Sequence, residues 1–473
     1  MLEPLVRNNL PRLQGLYDRV PAPARDLLVS ARGWLLTQIR YSAETLAMLR
    51  ALRAGEFWSA EQIYLYQLGA LRRTLDLAVR TVPHYAGYSC ATIRNVEDLR
   101  QFPVLDRETV LHNQVHFLSR AVPPRQRIRA GTTGTTGASL RVAYTEKLAR
   151  ANWAFLLRQW AWAGVEPRHP RITLQGARVV PASRTDPPFW TYNAAERQIL
   201  MSIFHLSEKT APDYLGFLWK HAGKVLEGFP SVLGILADFA LDRGMQIPMS
   251  VVFTSGEPLY PSLRAKIEQA FQARVFDTYG MTEYCGLIQE CERGEMHLAP
   301  EYGFLEILDE RGEPAAPGTE GDFVWTGFLN EAMPLIRYRI GDRGRWQAGG
   351  PCPCGRSFPL VVPTITRESD ILRCPDGRLF SPRALNQLLK QSVSLRFCQF
   401  VHDRPDRVVV RAVPRTAPGT AQNNGGAMAE VLRIRTSLEH LLGPCMQVIT
   451  DLASEPIARR GGKIPLIVNE VPQ

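Results

Sequence analysis

The stretch that decides the fold runs from residue 251 to residue 283 and reads VVFTSGEPLYPSLRAKIEQAFQARVFDTYGMTE. It begins with the apolar run Val251–Phe253, which predicts a strand that leads into Thr-Ser-Gly-Glu-Pro. A helix should then extend to about Phe271, and Val275–Phe276 predicts the next strand, which leads to Tyr-Gly. The order strand, helix, strand indicates a βαβ unit.

Short β-rich runs also alternate with helical segments on both sides of this unit, from about residue 126 to residue 345. Examples are Arg171–Leu174, Gly303–Leu308 and Asp322–Thr326. This alternation predicts an α/β fold with a large, multi-layered N-terminal domain.

The two ends of the chain differ from this core. Near the N-terminus, Ser59 and Gln62 form a capping-box pattern, and apolar residues then recur at the spacing of a helix. Near the C-terminus, Phe397–His402 and Arg407–Val413 predict strands of a small, mobile α+β domain. We therefore predict a helical N-terminal region over 1–125, an α/β core over 126–366 and a small lid domain over 367–473.

Composition and charge narrow the class of protein. The chain has 473 residues, 45% of them hydrophobic and 22% charged, which is typical of a soluble globular protein of two or three domains. No stretch approaches the roughly 20 apolar residues of a membrane span, and no signal peptide is found, so we expect a cytoplasmic enzyme. The net charge of +10 comes from scattered Arg, because only seven of the 56 cations are Lys. Without a basic block, nucleic acid is not the expected partner.

A run of glycine and threonine from Gly131 to Gly137 is the first motif that carries chemistry. Glycine lets the backbone approach a ligand with its N–H groups facing an anion, and threonine hydroxyls donate to phosphate oxygens. The run lacks the Gly-Lys-Ser/Thr ending of a Walker A loop, which disfavours a P-loop kinase. A low-complexity surface loop is the alternative to a phosphate-binding loop. The candidate residues are Thr132, Thr133, Gly134, Thr135, Thr136 and Gly137.

Two further motifs are weak when each is taken alone. In the segment Phe276–Glu283, Tyr279 is suited to stack on a flat ring, and Glu283 is suited to hold a divalent cation that bridges phosphates. In the segment Arg337–Asp342, the carboxylate of Asp342 is suited to accept the hydroxyls of a ribose. The alternative for Phe276–Glu283 is an ordinary turn at the end of a strand. The alternative for Arg337–Asp342 is a helix cap or a surface ion pair.

Taken together and in order, these motifs are specific. The chain resembles the adenylate-forming superfamily of acyl-CoA synthetases and adenylation domains, and within it the phenylacetate–CoA ligase family, especially its branch connected with capsule biosynthesis. The resemblance spans about residues 55–473. It rests on Thr132–Gly137 (TTGTTG), Thr254–Pro258 (TSGEP), Tyr279–Glu283 (YGMTE), Pro334–Asp342 (PLIRYRIGD) and Cys352–Arg356 (CPCGR).

The resemblance implies that the large domain binds ATP, Mg²⁺ and a carboxylic acid. The glycine–threonine loop would cradle the phosphates, Tyr279 would flank the adenine and Asp342 would bind the ribose. Glu283 would hold the Mg²⁺. Beyond the loop, the residues assigned to the nucleotide in this way are Gly256, Glu257, Pro258, Asp277, Tyr279, Gly280, Asp342, Arg356 and Arg367.

The implied reaction brings two anions together. A carboxylate attacks the α-phosphorus of ATP and gives acyl-AMP and pyrophosphate, so the protein must supply cations and N–H donors. The resemblance assigns the cation to Lys463, which follows two glycines, with a solvated lysine as the alternative. Thr282, near the α-phosphate, and Glu283 complete the catalytic set. The small domain is implied to rotate about a hinge, whose family pattern is only partly kept in residues 366–370.

Four residues have the composition of a structural zinc site, namely Cys291, His297, Cys352 and Cys354. Three thiolates and one imidazole form a tetrahedral ligand set that leaves no open position for water. The resemblance supports zinc, because members of this branch carry Cys and His at corresponding places. Four reduced, partly buried residues are the alternative.

The acid and the acyl acceptor are less well defined. Aromatic residues between the loop and the Tyr-Gly motif suit a flat aromatic acid, and we name Tyr192, Phe229 and His205 as candidate substrate contacts. Core packing is the alternative for each of them. CoA is the expected acceptor; an amine, a hydroxyl or a carrier-protein thiol in a biosynthetic pathway is the alternative. A degenerate adenylate-binding protein is disfavoured because the motif residues are present, and a homodimer is left open.

Overall fold

A computed structural model describes residue 17 and residues 20–90, 93–131, 140–174, 176, 179–181, 183–364, 372–376, 379–380, 385, 387–389, 392, 394–415, 424–458 and 464–471. The helices are α1 (Ala22–Arg40), α2 (Ala43–Ala54), α3 (Ala60–Thr81), α4 (Arg107–His112), α5 (Glu146–Trp162), α6 (Ala211–Lys220), α7 (Pro230–Leu241), α8 (Pro261–Phe271) and α9 (Asn424–Leu442). The strands are β1 (Leu105–Asp106), β2 (Ile128–Gly131), β3 (Arg141–Tyr144), β4 (Arg171–Leu174), β5 (Trp190–Asn193), β6 (Gln198–Met201), β7 (Val225–Gly228), β8 (Val251–Ser255), β9 (Val275–Gly280), β10 (Leu287–Glu290), β11 (Met296–Leu298), β12 (Gly303–Leu308), β13 (Gly321–Gly327), β14 (Tyr338–Trp346), β15 (Val361–Pro363), β16 (Leu372–Arg373), β17 (Leu379–Phe380), β18 (Leu395–Arg404), β19 (Arg407–Pro414), β20 (Gln447–Leu452) and β21 (Ile467–Asn469).

The largest sheet is built around the predicted βαβ unit. Strands β8 and β9 are parallel neighbours connected through α8, which confirms that unit. The strand order is β11-β10-β9-β8-β7-β4-β6-β5. Strands β6, β4, β7, β8 and β9 run parallel to one another. Their carboxyl ends therefore meet at one edge of the sheet, which is where open α/β sheets bind ligands.

A second, five-stranded sheet packs against the chain that follows β9. It contains β12, β13 and β14 in antiparallel order, with β1 parallel to β14 and β15 antiparallel to it. A Cβ atom on Gly286 would lie 2.1 Å from the Trp325 ring, and one on Gly303 would lie 2.0 Å from the carbonyl oxygen of Cys285. Real Cβ atoms do not come this close, so glycine at these two positions lets the two layers meet.

The N-terminal part is helical, as the pattern predicts. The capping box that opens α3 is formed: the Gln62 N–H donates to Ser59 Oγ at 3.2 Å, and the Ser59 N–H donates to Gln62 Oε1 at 2.9 Å. Leu71 and Leu75 of α3 are fully buried in the main core. The boundary at residue 125 stays a prediction. Within the described part of the chain, no helix has both the length and the hydropathy needed to span a bilayer.

A smaller sheet forms the predicted C-terminal α+β unit. Its strand order is β20-β19-β18-β21, and α9 covers it. Phe400 and Val410 from the sheet and Val431 and Leu438 from α9 are fully buried in a core separate from those of the large domain. The fold class is thus confirmed, with a large α/β domain and a small α+β domain. The predicted boundary at residues 366–367 lies outside the described residues.

Two arginines dock the small domain on the end of α7. Arg415 forms ion pairs with Asp238 and, at 2.6 Å, with Asp242. Arg396 pairs with Asp242 at 3.3 Å, and its guanidinium lies 3.8 Å from the ring centroid of Phe239. The Asp238 side chain is 3% exposed and also pairs with Lys266 at 2.9 Å, so loss of Arg415 leaves this buried carboxylate with one cationic partner.

We predict that Arg415→Ala weakens this docking by about 1–2 kcal/mol, because it removes both ion pairs of one side chain. Small-angle X-ray scattering should show a larger radius of gyration for the variant. Arg407→Ala is the matched control, since Arg407 pairs with Asp403 inside the small domain. An unchanged radius of gyration for Arg415→Ala would show that these ion pairs do not hold the domains together.

Candidate active site

The loops after β8 and β9 lie side by side at the carboxyl edge of the parallel strands. The two strands are in register, with Thr254 opposite Asp277 and Ser255 opposite Thr278. The predicted residues of the first loop are Gly256, Glu257 and Pro258; those of the second are Thr282 and Glu283, which follow Gly280 at the end of β9. Phe229 follows β7 at the same edge. The fold therefore brings two of the predicted motifs together.

Glu283 is a buried carboxylate held by two donors. Its Oε1 atom accepts hydrogen bonds from Arg107 Nη1 at 3.0 Å and from Tyr338 Oη at 3.2 Å. Tyr338 begins β14 of the second sheet, and Arg107 begins α4 directly after β1 of the same sheet. Burial raises the pKa of Tyr338, which keeps its hydroxyl protonated and able to donate at neutral pH. The carboxylate is thus fixed in one orientation.

The turn that presents Glu283 is tightly constrained. Tyr284 has a left-handed backbone with φ of +57°, a conformation that a bulky residue adopts only when its surroundings impose it. Its ring lies 5.1 Å from that of Tyr144. Behind the turn, Cys285 meets the glycines of β12 and β13, where a Cβ atom on Gly327 would lie 2.8 Å from the Cys285 Cα. Both sides of the turn are therefore packed.

Tyr279 and Asp342 form a buried pair across the two sheets. The Tyr279 hydroxyl donates to Asp342 Oδ2 at 2.8 Å, and both residues are at most 5% exposed. The Tyr279 ring is stacked against Trp325 with 6.2 Å between centroids and 19° between planes. The stacking holds the Tyr279 ring in place, and the hydrogen bond from its hydroxyl orients the Asp342 carboxylate. The predicted roles of Tyr279 beside adenine and of Asp342 on ribose stay predictions.

Asp277 lies inside the sheet rather than on the loop. Thr254 Oγ1 donates to its Oδ1 at 2.6 Å, and its backbone N–H donates to Glu290 Oε2 at 2.8 Å. Burial raises the pKa of Asp277 to about 7, since loss of water disfavours the charged form more than the Thr254 bond favours it. Its predicted contact with the nucleotide stays a prediction.

The predicted phosphate loop, Thr132–Gly137, lies outside the described residues, and so do Arg367 and Lys463. The hairpin that carries the loop is described: β2 and β3 pair in antiparallel register. Asn330 Nδ2 donates to the carbonyl of Ala143 at 3.0 Å, and Tyr144 at the end of β3 packs on Tyr284. The base of the hairpin is therefore fixed beside the turn that presents Glu283.

Glu257 is the point where the small domain reaches this edge. Its Oε2 accepts the N–H of Ser231 at 3.0 Å, in the first turn of α7, where unpaired N–H groups favour an anion. Its Oε1 accepts the N–H of Ile464 at 3.3 Å. Ile464 follows Lys463 in the sequence. Ile464, the residue after the predicted catalytic lysine, is thus hydrogen-bonded at the predicted nucleotide site.

The four predicted zinc ligands are brought together. Their ligand atoms all lie within 4.8 Å of one another, although Cys291 and Cys352 are 61 residues apart. Cys291 Sγ is 3.7 Å from Cys352 Sγ, and Cys354 Sγ is 3.4 Å from His297 Nε2. His297 Nδ1 is 3.1 Å from the carbonyl of Phe358, which assigns the proton to Nδ1 and leaves Nε2 for a metal.

The surroundings of the cysteines fit a cation. Burial raises the pKa of Cys352 to about 12, so without a bound cation this side chain is a neutral thiol. The N–H groups of Arg293 and Cys354 donate to Cys291 Sγ and Cys352 Sγ at 3.3 and 3.4 Å. Burial also lowers the pKa of His297, which favours the neutral imidazole that binds metals. The donor types and the neutral imidazole both fit zinc.

Arg356 lies beside this cluster. It pairs with Glu292 at 2.8 Å and with Glu56 at 3.2 Å, and its guanidinium lies 4.4 Å from the ring centroid of Trp162. These contacts join the Cys352–Cys354 segment to the N-terminal helices and to α5. Two carboxylates already hold the guanidinium, and the predicted contact of Arg356 with ribose stays a prediction.

The candidate substrate residues are spread out. His205 uses both ring nitrogens, with Ser202 Oγ at 2.7 Å and the Pro181 carbonyl at 3.1 Å, as expected for its structural alternative. Tyr192 is 46% exposed on β5, the outermost strand, which five strand spacings place about 24 Å from β9. The structure thus does not bring Tyr192 to the edge that holds Phe229 and Glu283.

Sequence reasoning missed Arg107 and Tyr338. Tyr338 stands within the quoted PLIRYRIGD motif, so its neighbours there were a usable signal. Arg107 is 176 residues from Glu283 in the sequence, and nothing local distinguishes it from the other arginines. The parallel pairing of Leu105 with Tyr338 places it there.

Comparison with known proteins identifies the domain that holds the site. The model of the family described as AMP-binding enzyme matches residues 175–329. These residues form an AMP-binding enzyme domain. It contains the loops after β7, β8 and β9, and therefore Phe229, Glu257 and Glu283.

Relatives and solved structures extend the likeness beyond this domain. The chain is 23% identical to Protein CapK of Staphylococcus aureus over 477 residues, which cover 97% of this chain and 100% of CapK. It is 25% identical to the phenylacetate-coenzyme A ligase of Thermus thermophilus over 327 residues, or 66% of this chain and 72% of that ligase. A crystal structure of 2-hydroxyisobutyryl-CoA ligase in the postadenylation state has a TM-score of 0.66 at 19% identity, covering 88% of this chain and 91% of that one. The last similarity establishes the fold alone.

We predict that Asp277 makes folding stability depend on pH. Its pKa is raised from 3.8 to about 7 in the folded chain, so the folded state favours the protonated carboxyl. The stability that this group contributes to the folded state is therefore full below about pH 4 and is lost as the pH rises through about 7. Asp277→Asn cannot ionise but keeps an oxygen that accepts from Thr254. Relative to this variant, the wild type should lose up to about 1.4 kcal/mol of unfolding free energy per pH unit within that window.

Urea unfolding of both proteins at several pH values between about 5 and 8 checks this expectation. Asp186→Asn serves as the control, because Asp186 is exposed. Parallel pH profiles for the wild type and Asp277→Asn would contradict the prediction.

Proposed function

We propose that this protein is an ATP-dependent, AMP-forming carboxylate ligase, which converts a small or aromatic acid to acyl-AMP and then transfers the acyl group to CoA. One observation carries the proposal: an AMP-binding domain gathers Glu257, Glu283 and the Tyr279–Asp342 pair at the carboxyl edge of its parallel strands. The similarity to phenylacetate-coenzyme A ligases supports the choice of CoA.

The first step needs positive charge at two places. An oxygen of the acid attacks the α-phosphorus of ATP, the bond to the bridging oxygen breaks, and pyrophosphate leaves. Lys463 places its ammonium between the acid and the α-phosphate, while the N–H groups and hydroxyls of residues 132–137 hold the departing phosphates. The contact of Ile464 with Glu257 supports this role for Lys463, because it ties the adjoining residue to the same edge.

The Tyr279–Asp342 pair, which connects the two sheets, holds the nucleoside. Asp342 accepts the ribose hydroxyls, and the Tyr279 hydroxyl fixes the orientation of its carboxylate. Gly256 and Pro258 line the adenine, and Thr282 lies near the α-phosphate. The burial of Asp342 supports its role on the ribose. Its carboxylate is 3% exposed and already oriented by the Tyr279 hydroxyl, so it can accept hydrogen bonds without rearranging.

Mg²⁺ fits Glu283. Hard divalent cations take carboxylate oxygens, and Arg107 and Tyr338 orient this carboxylate through one of its two oxygens. When bound, the cation neutralises charge on the phosphate oxygens. Zn²⁺ fits Cys291, His297, Cys352 and Cys354 as a structural ion, since the set supplies four ligands and no open position.

A second acceptor is favoured by one observation. The match to Protein CapK covers 97% of this chain, whereas the matches to the phenylacetate-coenzyme A ligases cover 66–71%. The chain is thus similar over nearly its whole length to a protein whose name mentions no CoA ligase activity, and over about two thirds of its length to CoA ligases. The alternative function is therefore transfer of the acyl group from acyl-AMP to an amine, a hydroxyl or a carrier-protein thiol.

We predict that the purified protein exchanges labelled pyrophosphate into ATP only when its acid is present. Lys463→Ala should slow the exchange by about 100-fold or more, because the charge on the reacting groups is no longer neutralised. Lys220→Ala is the control, since Lys220 is exposed at the end of α6. A panel of carboxylic acids, each run with CoA, with amines and without an acceptor, identifies both substrates. No exchange with any acid would reject the proposed function, and normal exchange by Lys463→Ala would reject only the role of that lysine.

We predict that Cys352→Ser lowers the zinc content of protein made in zinc-containing medium by about one equivalent per chain. The thermal midpoint should fall as well, because binding of a structural metal contributes to the free energy of folding. Metal analysis and thermal unfolding are measured beside Cys90→Ser, a half-buried cysteine outside the cluster. An unchanged zinc content and thermal midpoint would reject the site.

A further inference from the structure

We propose that Cys374, Asp376 and Cys445 form a second zinc site, in the small domain and open to solvent. One sulfur or oxygen atom from each residue lies within 4.8 Å of the other two. Cys445 Sγ is 3.2 Å from Asp376 Oδ2. The two cysteines are 71 residues apart in the sequence, and the fold rather than a local motif brings them together.

Two structural elements fix this geometry. Cys374 directly follows β16, whose Leu372 is fully buried in the small-domain core. On the other side, α9 ends at Leu442, and Gly443 adopts a left-handed backbone with φ of +71° while its N–H donates to the Glu439 carbonyl at 2.8 Å. This reversal is one that glycine makes without strain, and it turns Cys445 back toward the end of β16.

The donor set selects the metal. Two thiolates and one carboxylate favour a borderline ion such as Zn²⁺ over Mg²⁺ or Ca²⁺, which prefer oxygen ligands alone. The three residues differ in solvent exposure: Cys374 is buried, Cys445 is half-buried and Asp376 is exposed. The exposed side leaves a fourth position for water, in contrast to the closed set at Cys291.

The site would fasten the start of the small domain to its body. The hairpin β16–β17 has a short ladder of two residue pairs, and α9 packs on the sheet. A metal that binds both Cys374 and Cys445 ties this hairpin to the end of α9. The residues just before β16, 365–371, include the predicted hinge, so the metal would let the small domain move as one unit from β16 onward.

The test uses the full-length protein with Zn²⁺ alone as the probe. After chelation and reduction, alkylation of each cysteine is followed by peptide mass spectrometry with and without Zn²⁺. Because the thiolate is both the nucleophile and the ligand, Zn²⁺ should slow alkylation of Cys445 on the order of tenfold or more and should also protect Cys374. Cys90 reports on non-specific effects, since it lies in neither cluster.

Variants then assign the ligands. Cys445→Ser and Asp376→Asn should each bind about one zinc fewer per chain than the wild type, or bind it on the order of tenfold more weakly, with an unchanged circular dichroism spectrum. Cys398→Ala, a buried cysteine of the same domain outside the cluster, should keep the wild-type content. Zn²⁺-independent alkylation of Cys445 would overturn the proposal, and so would a wild-type zinc content in both Cys445→Ser and Asp376→Asn.

Discussion

The buried carboxylate of Glu283 is the constraint on which the site depends. A charged group with 3% exposure is tolerable only when other groups replace the water that it has lost, and Arg107 and Tyr338 do so at 3.0 and 3.2 Å. Tyr338 begins β14 of the second sheet and Arg107 directly follows β1 of that sheet, whereas Glu283 follows the last parallel strand of the first. The turn that presents Glu283 therefore has its geometry only when the two sheets are packed together, as the glycine contacts behind Cys285 require.

Helix α7 connects this edge to the small domain. Its first turn donates an N–H to Glu257, and its last turn and C-terminus carry Asp238 and Asp242, which bind Arg415. Twelve residues make a rigid rod about 18 Å long. The same Glu257 accepts the N–H of Ile464 from the small domain. Docking of that domain and placement of Ile464 therefore share one element.

The cysteine cluster shows how far a local pattern carries. Residue types determine which metal a set of side chains can bind, so three cysteines and a histidine indicate zinc from the sequence alone. The fold then places their ligand atoms within 4.8 Å of one another. The neighbouring Arg356 belongs to the same CPCGR motif, yet its partners are Glu56 and Glu292. A motif identifies which residues act together, but the contacts of a long side chain depend on what the rest of the fold brings within its reach.

The sequence by itself determined the βαβ unit, the helix that begins after Ser59 and several of the strands, because periodicity, capping and turn chemistry act over a few residues. Only the tertiary structure decided that Arg107 meets Glu283, that both nitrogens of His205 are occupied, that Tyr192 lies on the far strand, and that Cys374 meets Cys445. These facts depend on strand order and on the packing of layers. Such contacts join residues tens to hundreds of positions apart, so local sequence preferences cannot predict them.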